Sequence, residues 1–455
     1  MSRITVVTVE TPSLGDRSHV VHDGEVALVI DPQRDIDRIL AVLESEGVRL
    51  SHVFETHVHN DYVTGGLALA RATGATYSLN AADEVSFDHH GVHDGDVVTV
   101  GSMDVTVLAT PGHTFTHLSY AVGPTGEGLG ASTAVFTGGS LLFGATGRPD
   151  LLGPGHTHAL VHHQHASVHR LASLLPDSAT VHPTHGFGSF CSATQSDATS
   201  STIGEERRKN PALLQDEETW VREVLDGLNA WPAYYAHMAP ANAAGPAAPD
   251  LSPPAVADPD ELRRRLTAGE WVVDLRHRTA FATGHAPGTF NFGVEGPFAT
   301  YLGWLIPWGT PLTLLGETPE QVAEAQRELV RIGIDRPVAQ ATGGPRDWAP
   351  DADPASYPVA TFADLADVRH HRPVVVVDVR NRDEHAQARV TGAVNVPLPT
   401  LLERTDEIPH GQLWVHCAAG YRASAAASIL AAAGRDVVAV DDTFDSAREV
   451  GLVES

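Results

Sequence analysis

The chain has 455 residues, 42% hydrophobic and 19% charged, enough for roughly two to four domains with separate cores. Its formal net charge of −27 argues against nucleic acid or an anionic membrane as partner, and makes any local cationic pocket for an anionic substrate stand out. No apolar run approaches the ~18 residues of a membrane span, and Met1-Ser2-Arg3-Ile4-Thr5 leads into a strand pattern rather than an apolar leader, so the expected location is cytoplasmic. Only two cysteines occur, Cys191 and Cys417, which argues against a disulfide framework and fits a reducing compartment.

In chain order, residues 36–46 read as a helix, and Ser51-His52-Val53-Phe54-Glu55 as a strand that runs into Thr56-His57-Val58-His59-Asn60-Asp61. Gly65-Gly66 and a helical pattern over 67–73 follow, so His57, His59 and Asp61 fall on a strand-to-helix loop at a sheet edge. Imidazoles and a carboxylate at such an edge suit a divalent metal with open positions, able to activate water or oxygen. A strand over 105–108 leads into Ala109-Thr110-Pro111-Gly112-His113-Thr114, and after a helix over 157–175 the segment Val181-His182-Pro183-Thr184-His185-Gly186 puts His185 on a third loop. The three loops, in this order, resemble the metallo-β-lactamase fold family over residues 4 to about 210, which implies a layered αββα sandwich. His158, His162, His165 and His169 recur at helical spacing on the 157–175 helix and read as a solvated polar face. Residues 211–238 look helical and close a first domain of 1–238; 239–256, rich in Ala and Pro, read as a linker.

Beyond the linker the chain repeats itself. Trp271-Val272-Val273-Asp274-Leu275-Arg276 returns as Val375-Val376-Val377-Asp378-Val379-Arg380, and each copy is followed by Gly-x-x-Asn, at Gly288–Asn291 and Gly392–Asn395. The pairing resembles the rhodanese family of small α/β domains with a parallel sheet, over 257–350 and 355–455. The second copy carries a strand, Leu413-Trp414-Val415-His416, then Cys417-Ala418-Ala419-Gly420-Tyr421-Arg422 and a helical run. A cysteine between a strand and a helix faces backbone N–H groups and the positive end of the helix dipole, which favour its thiolate. Small residues at 418–420 let the loop curl around the sulfur, and Arg422 adds positive charge. Cys417 and Arg422 are therefore the expected catalytic pair, with Gly420 and Tyr421 lining the substrate. The first copy has no cysteine; its strand end reads Leu314-Leu315-Gly316-Glu317, like a degenerate, catalytically silent rhodanese.

Together the parts resemble the persulfide dioxygenase and sulfurtransferase fusions. That resemblance implies oxidation of a thiol persulfide, such as glutathione persulfide, to sulfite at a mononuclear Fe(II), and transfer of sulfane sulfur among thiols, sulfite and thiosulfate. It implies His57 and His113 as metal ligands, with His185 at the same centre, and Cys191, in Gly186-Phe187-Gly188-Ser189-Phe190-Cys191, at the thiol pocket. Tyr62 stands where binuclear hydrolases of this fold carry a second-site histidine, which favours a single metal. The family's third ligand is an aspartate in a Phe-Thr-Gly-Asp segment, whereas this chain reads Phe136-Thr137-Gly138-Gly139. Three outcomes follow: His59 turns inward to give a three-histidine site that also suits zinc; Asp61 or Asp150 substitutes; or the site holds metal poorly. Two alternatives to the oxidation stand beside it, a glyoxalase II-like thioester hydrolase and a sulfur-relay protein active only at Cys417. Members of such families commonly form homo-oligomers.

Overall fold

The computed structural model describes residues 4–186, 188–194 and 198–454, so Phe187 of the expected cysteine-bearing loop lies outside the described residues. The chain divides into two compact units, Met1–Pro249 with Val330–Gly333, and Asp250–Leu329 with Ile334–Ser455.

The first unit is built on two six-stranded sheets. One runs in chain order through Thr5–Thr11, Asp16–His22, Val26–Ile30, Arg49–Phe54, Thr76–Asn80 and His90–Val92. The other is ordered Ser201–Thr202, Thr180–Pro183, Ala134–Gly138, Leu118–Pro124, Met103–Ala109 and Val97–Val100. Alternation along each strand decides which side chain enters which layer. Val21, Leu28 and Ile30 meet Val105, Val107 and Tyr120 between the sheets. Their neighbours Val20, Ala27 and Val29 face the opposite way, onto the helices Asp37–Glu46 and Gly66–Thr73. On the second sheet Ala121 and Val135 turn outward against the helix Pro154–Leu174. The result is the αββα sandwich that the three loops imply.

Two local expectations change. Pro154 opens its helix at the first position, where a missing N–H costs nothing, so the helix starts before residue 157. Its histidine face is not simply solvated. His162 Nδ1 lies 2.7 Å from a Glu217 carboxylate oxygen, and the His165 ring packs 5.4 Å from that of Trp220. The stretch 239–256 is not linker throughout, because the helix Tyr235–Ala244 runs through Pro240 into it. Alanine favours helix, and Asn242 anchors that end by side-chain hydrogen bonds to the histidine loop. Among the described residues no helix is long and apolar enough to cross a membrane.

The second unit holds two parallel sheets of the same order. The first repeat runs Phe290–Asn291, Trp271–Asp274, Leu312–Gly316, Ala339–Thr342. The second runs Val394–Asn395, Val375–Asp378, Leu413–His416, Val437–Val440, with Val359–Ala360 added at its edge. The repeated Asp-x-Arg proves to be a staple. Arg276 donates to both Asp274 carboxylate oxygens, at 3.0 and 2.6 Å, and Arg380 donates to Asp378 at the same two distances. Each arginine also donates to a carbonyl beyond the following helix, Gly284 O or Ala388 O, at 2.8 Å. The repeated asparagine closes the same turn: Asn291 Nδ2 donates to Asp274 O and Arg276 O, and Asn395 Nδ2 to Asp378 O and Arg380 O. Buried polar groups thus find partners within the motif, which is why it recurs as a unit.

Candidate metal centre and cysteine loop

The histidine loop leaves the strand Arg49–Phe54 and is held by Asp31, at the end of the neighbouring strand Val26–Ile30. Asp31 accepts from Thr56 N and Thr56 Oγ1, both at 2.7 Å, and from the Thr184 hydroxyl, so one carboxylate joins the loops of His57 and His185. Its backbone sits at φ 51°, a conformation rare for a residue with a side chain and sustained here by those bonds. Burial alone would raise its pKa, but His59 and the donors from Thr184 and Thr56 more than offset this and keep it ionised. The sequence reading missed Asp31, as it missed Asn242, whose Nδ2 donates to His59 O and Tyr62 O at 2.9 and 2.8 Å.

His57, His59, His113 and His185 are all buried and their rings gather. Centroids lie 4.2 Å apart for His57–His59, 4.9 Å for His57–His113 and 5.2 Å for His113–His185. In three of the four, one ring nitrogen is fixed by the fold and Nε2 is free. His57 Nδ1 lies 2.9 Å from Thr56 Oγ1, and His113 Nδ1 2.8 Å from Arg148 O. His185 Nδ1 lies 3.0 Å from Asp16 Oδ1 and 3.2 Å from Asp61 Oδ2. Among the described residues, Nε2 of His57, His113 and His185 has no hydrogen-bond partner. An imidazole oriented through one nitrogen with the other free is the arrangement that metal-binding histidines adopt. His59 is turned the other way: its Nε2 meets Glu55, Asp31 and the Tyr62 hydroxyl at 3.1, 3.3 and 3.0 Å, while Nδ1, without a hydrogen bond among the described residues, lies 3.9 Å from Asp61 Oδ1.

Burial, followed by the neighbouring imidazoles, lowers the His57 pKa well below its ordinary value and that of His113 to about 3, so both are neutral donors. His185 goes up to about 9, because Asp61 and Asp16 outweigh the cost of burial. Ligand atoms of His57, His59 and His185 fall within 4.8 Å of one another, as do those of His113, His185 and Cys191. The residues fit a divalent cation.

Asp150 is placed elsewhere. Both of its carboxylate oxygens are taken by Arg148, at 2.6 and 2.7 Å, and it joins none of the donor groups among the described residues. Asp61 is present but spends Oδ2 on His185 Nδ1. Gly139 donates its N–H to His117 Nε2 at 3.0 Å, and any side chain there would collide with the His113 ring, so the space for a carboxylate is filled.

In the second unit Cys417 is buried at the end of the strand Leu413–His416, and Gly420 N–H donates to its sulfur at 3.2 Å. Gly420 has φ 91°, and a side chain there would meet Asp441, so glycine is what lets the loop turn its N–H inward. The other two expected residues are tied to neighbouring groups. Arg422 makes a two-pronged ion pair with Glu384, at 2.6 and 2.8 Å, which offsets its charge. The Tyr421 hydroxyl donates to Gly293 O of the first repeat at 2.9 Å. His416 is buried beside the Phe362 and Phe444 rings, and burial lowers its pKa to about 4.

The sandwich with its rim of histidines defines a metallo-β-lactamase-fold protein. A crystal structure of a metallo-beta-lactamase from Staphylococcus aureus subsp. aureus COL superposes on 75% of this chain and 99% of its own, with a TM-score of 0.65 and 26% identity. Within that class the chain belongs to the persulfide dioxygenase family: it is 31% identical over 218 residues to the mitochondrial persulfide dioxygenase ETHE1 of Bos taurus, covering 48% of this chain and 75% of that one. Residues 361–447 match the rhodanese-like domain family. A hydroxyacylglutathione hydrolase of Cereibacter sphaeroides is 36% identical over 146 residues, 31% of this chain and 54% of that protein.

Proposed function

We propose that the first unit oxidises a thiol persulfide, such as glutathione persulfide, to sulfite, and that Cys417 in the second transfers sulfane sulfur. One observation carries this reading: in a persulfide dioxygenase family member that also has a rhodanese-like domain, buried, unpartnered Nε2 atoms of His57, His113 and His185 gather in one pocket. Those three imidazoles would hold the metal, with His59 Nδ1 and Asp61 beside them. The dioxygenase relatives favour iron, and zinc suits the same nitrogens. When bound, the metal would supply the electrophilic site for the terminal sulfur and for oxygen activation. The chain's own groups do the rest: Arg148 O and Thr56 Oγ1 orient His113 and His57, and the buried walls keep bulk water out. Cys191, beside His113 and His185, would stand near the bound thiol. Overall, persulfide, oxygen and water give thiol, sulfite and two protons.

In the second unit the Cys417 thiolate attacks the outer sulfur of a donor such as thiosulfate, and sulfite leaves with the electron pair of the broken S–S bond. An acceptor thiolate then takes that sulfur from Cys417. The Gly420 N–H stabilises the anionic sulfur at both stages, and Arg422 positions the loop through Glu384.

Oxygen uptake by the iron-loaded chain with glutathione persulfide is the test; no uptake overturns the oxidation. A thioester hydrolase reading draws on the hydroxyacylglutathione hydrolase likeness, but Tyr62 spends its hydroxyl on His59 where a two-metal enzyme would present a further ligand. Thioester turnover by the zinc-loaded protein would select it. Bound metal below about a tenth of an equivalent, with transfer at Cys417 intact, would select a relay.

A further inference from the structure

Three imidazoles bring no negative charge to set against a dication in a buried pocket, and an uncompensated buried charge is costly. Glycine at 139 supplies no carboxylate. The remaining anionic candidates are not equivalent. Asp16 and Asp61 lie against His185 Nδ1, the nitrogen opposite the free one, where a carboxylate orients a ligand rather than acting as one. Cys191 also lies within hydrogen-bond reach of Asp61. Its sulfur and one ring nitrogen each of His113 and His185 are mutually within 4.8 Å. Nε2 of both rings is buried and unpartnered.

The backbone delivers the sulfur there deliberately. Gly147 N donates to Gly139 O at 3.0 Å, and Arg148 N donates to Cys191 O at 2.8 Å. The Arg148 carbonyl in turn accepts from His113 Nδ1 at 2.8 Å. A single residue therefore positions both the imidazole and the cysteine, and a third bond, Cys191 N to Ser189 Oγ at 3.2 Å, fixes the turn. The Arg148 guanidinium closes the arrangement by donating to Phe190 O at 3.2 Å.

We infer that Cys191 is a metal ligand, its thiolate completing a mixed sulfur–nitrogen site with His113 and His185 in place of the carboxylate that Gly139 does not provide. This rests on the metal-dependent reading of the first unit and deepens it. The thiol proton passes to solvent as the sulfur–metal bond forms, with no change in oxidation state. A thiolate in the donor set favours iron, cobalt or zinc over magnesium or manganese. It also means that Cys191 does not accept sulfane sulfur while the metal is bound.

The test uses the full chain loaded anaerobically with Co(II). With one cobalt bound, the wild type is expected to show a thiolate-to-cobalt charge-transfer band in the near ultraviolet. Cys417→Ser should keep the band, which assigns it to the only other cysteine. Cys191→Ser should lose it and weaken cobalt binding at least about tenfold, the lower end of what removing even an outer partner of a ligand costs. Cys191→Asp should lose the band yet recover much of the binding, because an oxygen donor returns. One cobalt bound without a thiolate band in the wild type overturns the inference and leaves the metal-dependent function standing. No cobalt bound at all overturns both. A band that survives Cys191→Ser overturns the assignment even if the aspartate variant fails to fold.

Discussion

In each repeat of the second unit an aspartate at a strand end grips the arginine two residues on, an asparagine closes the turn, and an aromatic ring covers the guanidinium. The Arg276 carbon lies 5.1 Å from the Trp348 ring and the Arg380 carbon 3.6 Å from the Phe444 ring. The registers pair Asp274 with Leu315 and Asp378 with His416, so Gly316 stands where the other repeat has Cys417. After Gly316 the helix begins at Pro319; after Cys417 it begins at Tyr421, one residue later relative to the strand end. That extra residue makes room for Gly420 to turn its N–H onto sulfur. The skeleton does not depend on the cysteine, and the chemistry is carried by one turn laid over it.

The largest effect should come from that turn. Cys417→Ser is expected to lower thiosulfate:thiol sulfurtransferase activity by more than about a thousandfold, as removal of a nucleophile does, with no change in unfolding. Full activity in the variant would place the chemistry elsewhere. Gly316→Cys should not confer activity on the first repeat, because no Gly420 equivalent faces it. The skeleton should respond the opposite way. Asp274→Ala and Asp378→Ala each strand a buried guanidinium, and urea unfolding should show each destabilised by about 3–5 kcal/mol. A cost found in only one repeat would break the equivalence.

His416, which takes the place that Leu315 holds in the first repeat, should separate the repeats by pH. Its folded-state pKa of about 4 lies below the ordinary value for histidine. The unfolded chain therefore takes up the proton first, and the stability of this repeat falls as pH drops from about 6.5 towards 4. Replacement by the leucine that the other repeat already uses should remove up to about 3 kcal/mol of that acid loss. Melting curves of His416→Leu and the wild type that run parallel between these pH values would refute it.

The parts legible in the sequence are those whose partners lie nearby in it. The order of the histidine loops implies the sandwich, and the repeated Asp-x-Arg marks the two parallel-sheet copies. The histidines could be collected because each lies on a loop that follows a strand. Asp31, Asn242 and the Arg148 link between His113 and Cys191 were hidden because each acts across a long stretch of chain through backbone bonds that leave no periodicity. Composition misled at 239–244, where alanine and proline looked like linker but a buried asparagine makes a helix of it. Nor did the sequence announce the ion pairs that tie Arg422 to Glu384 and Asp150 to Arg148.

The smallest effect tests what the silent repeat is for. Tyr421 follows the cysteine loop and was expected to touch substrate, yet its hydroxyl reaches Gly293 O, and its ring lies 5.9 Å from that of Tyr301, also in the first repeat. Tyr421→Phe removes one hydrogen bond, worth about 0.5–1.5 kcal/mol. If the bond braces the loop, stability should fall by that amount, kcat should drop a few-fold through a looser Gly420, and KM for thiosulfate should hold. A rise in KM with unchanged stability would return Tyr421 to the substrate and leave the first repeat without this part in the sulfur chemistry.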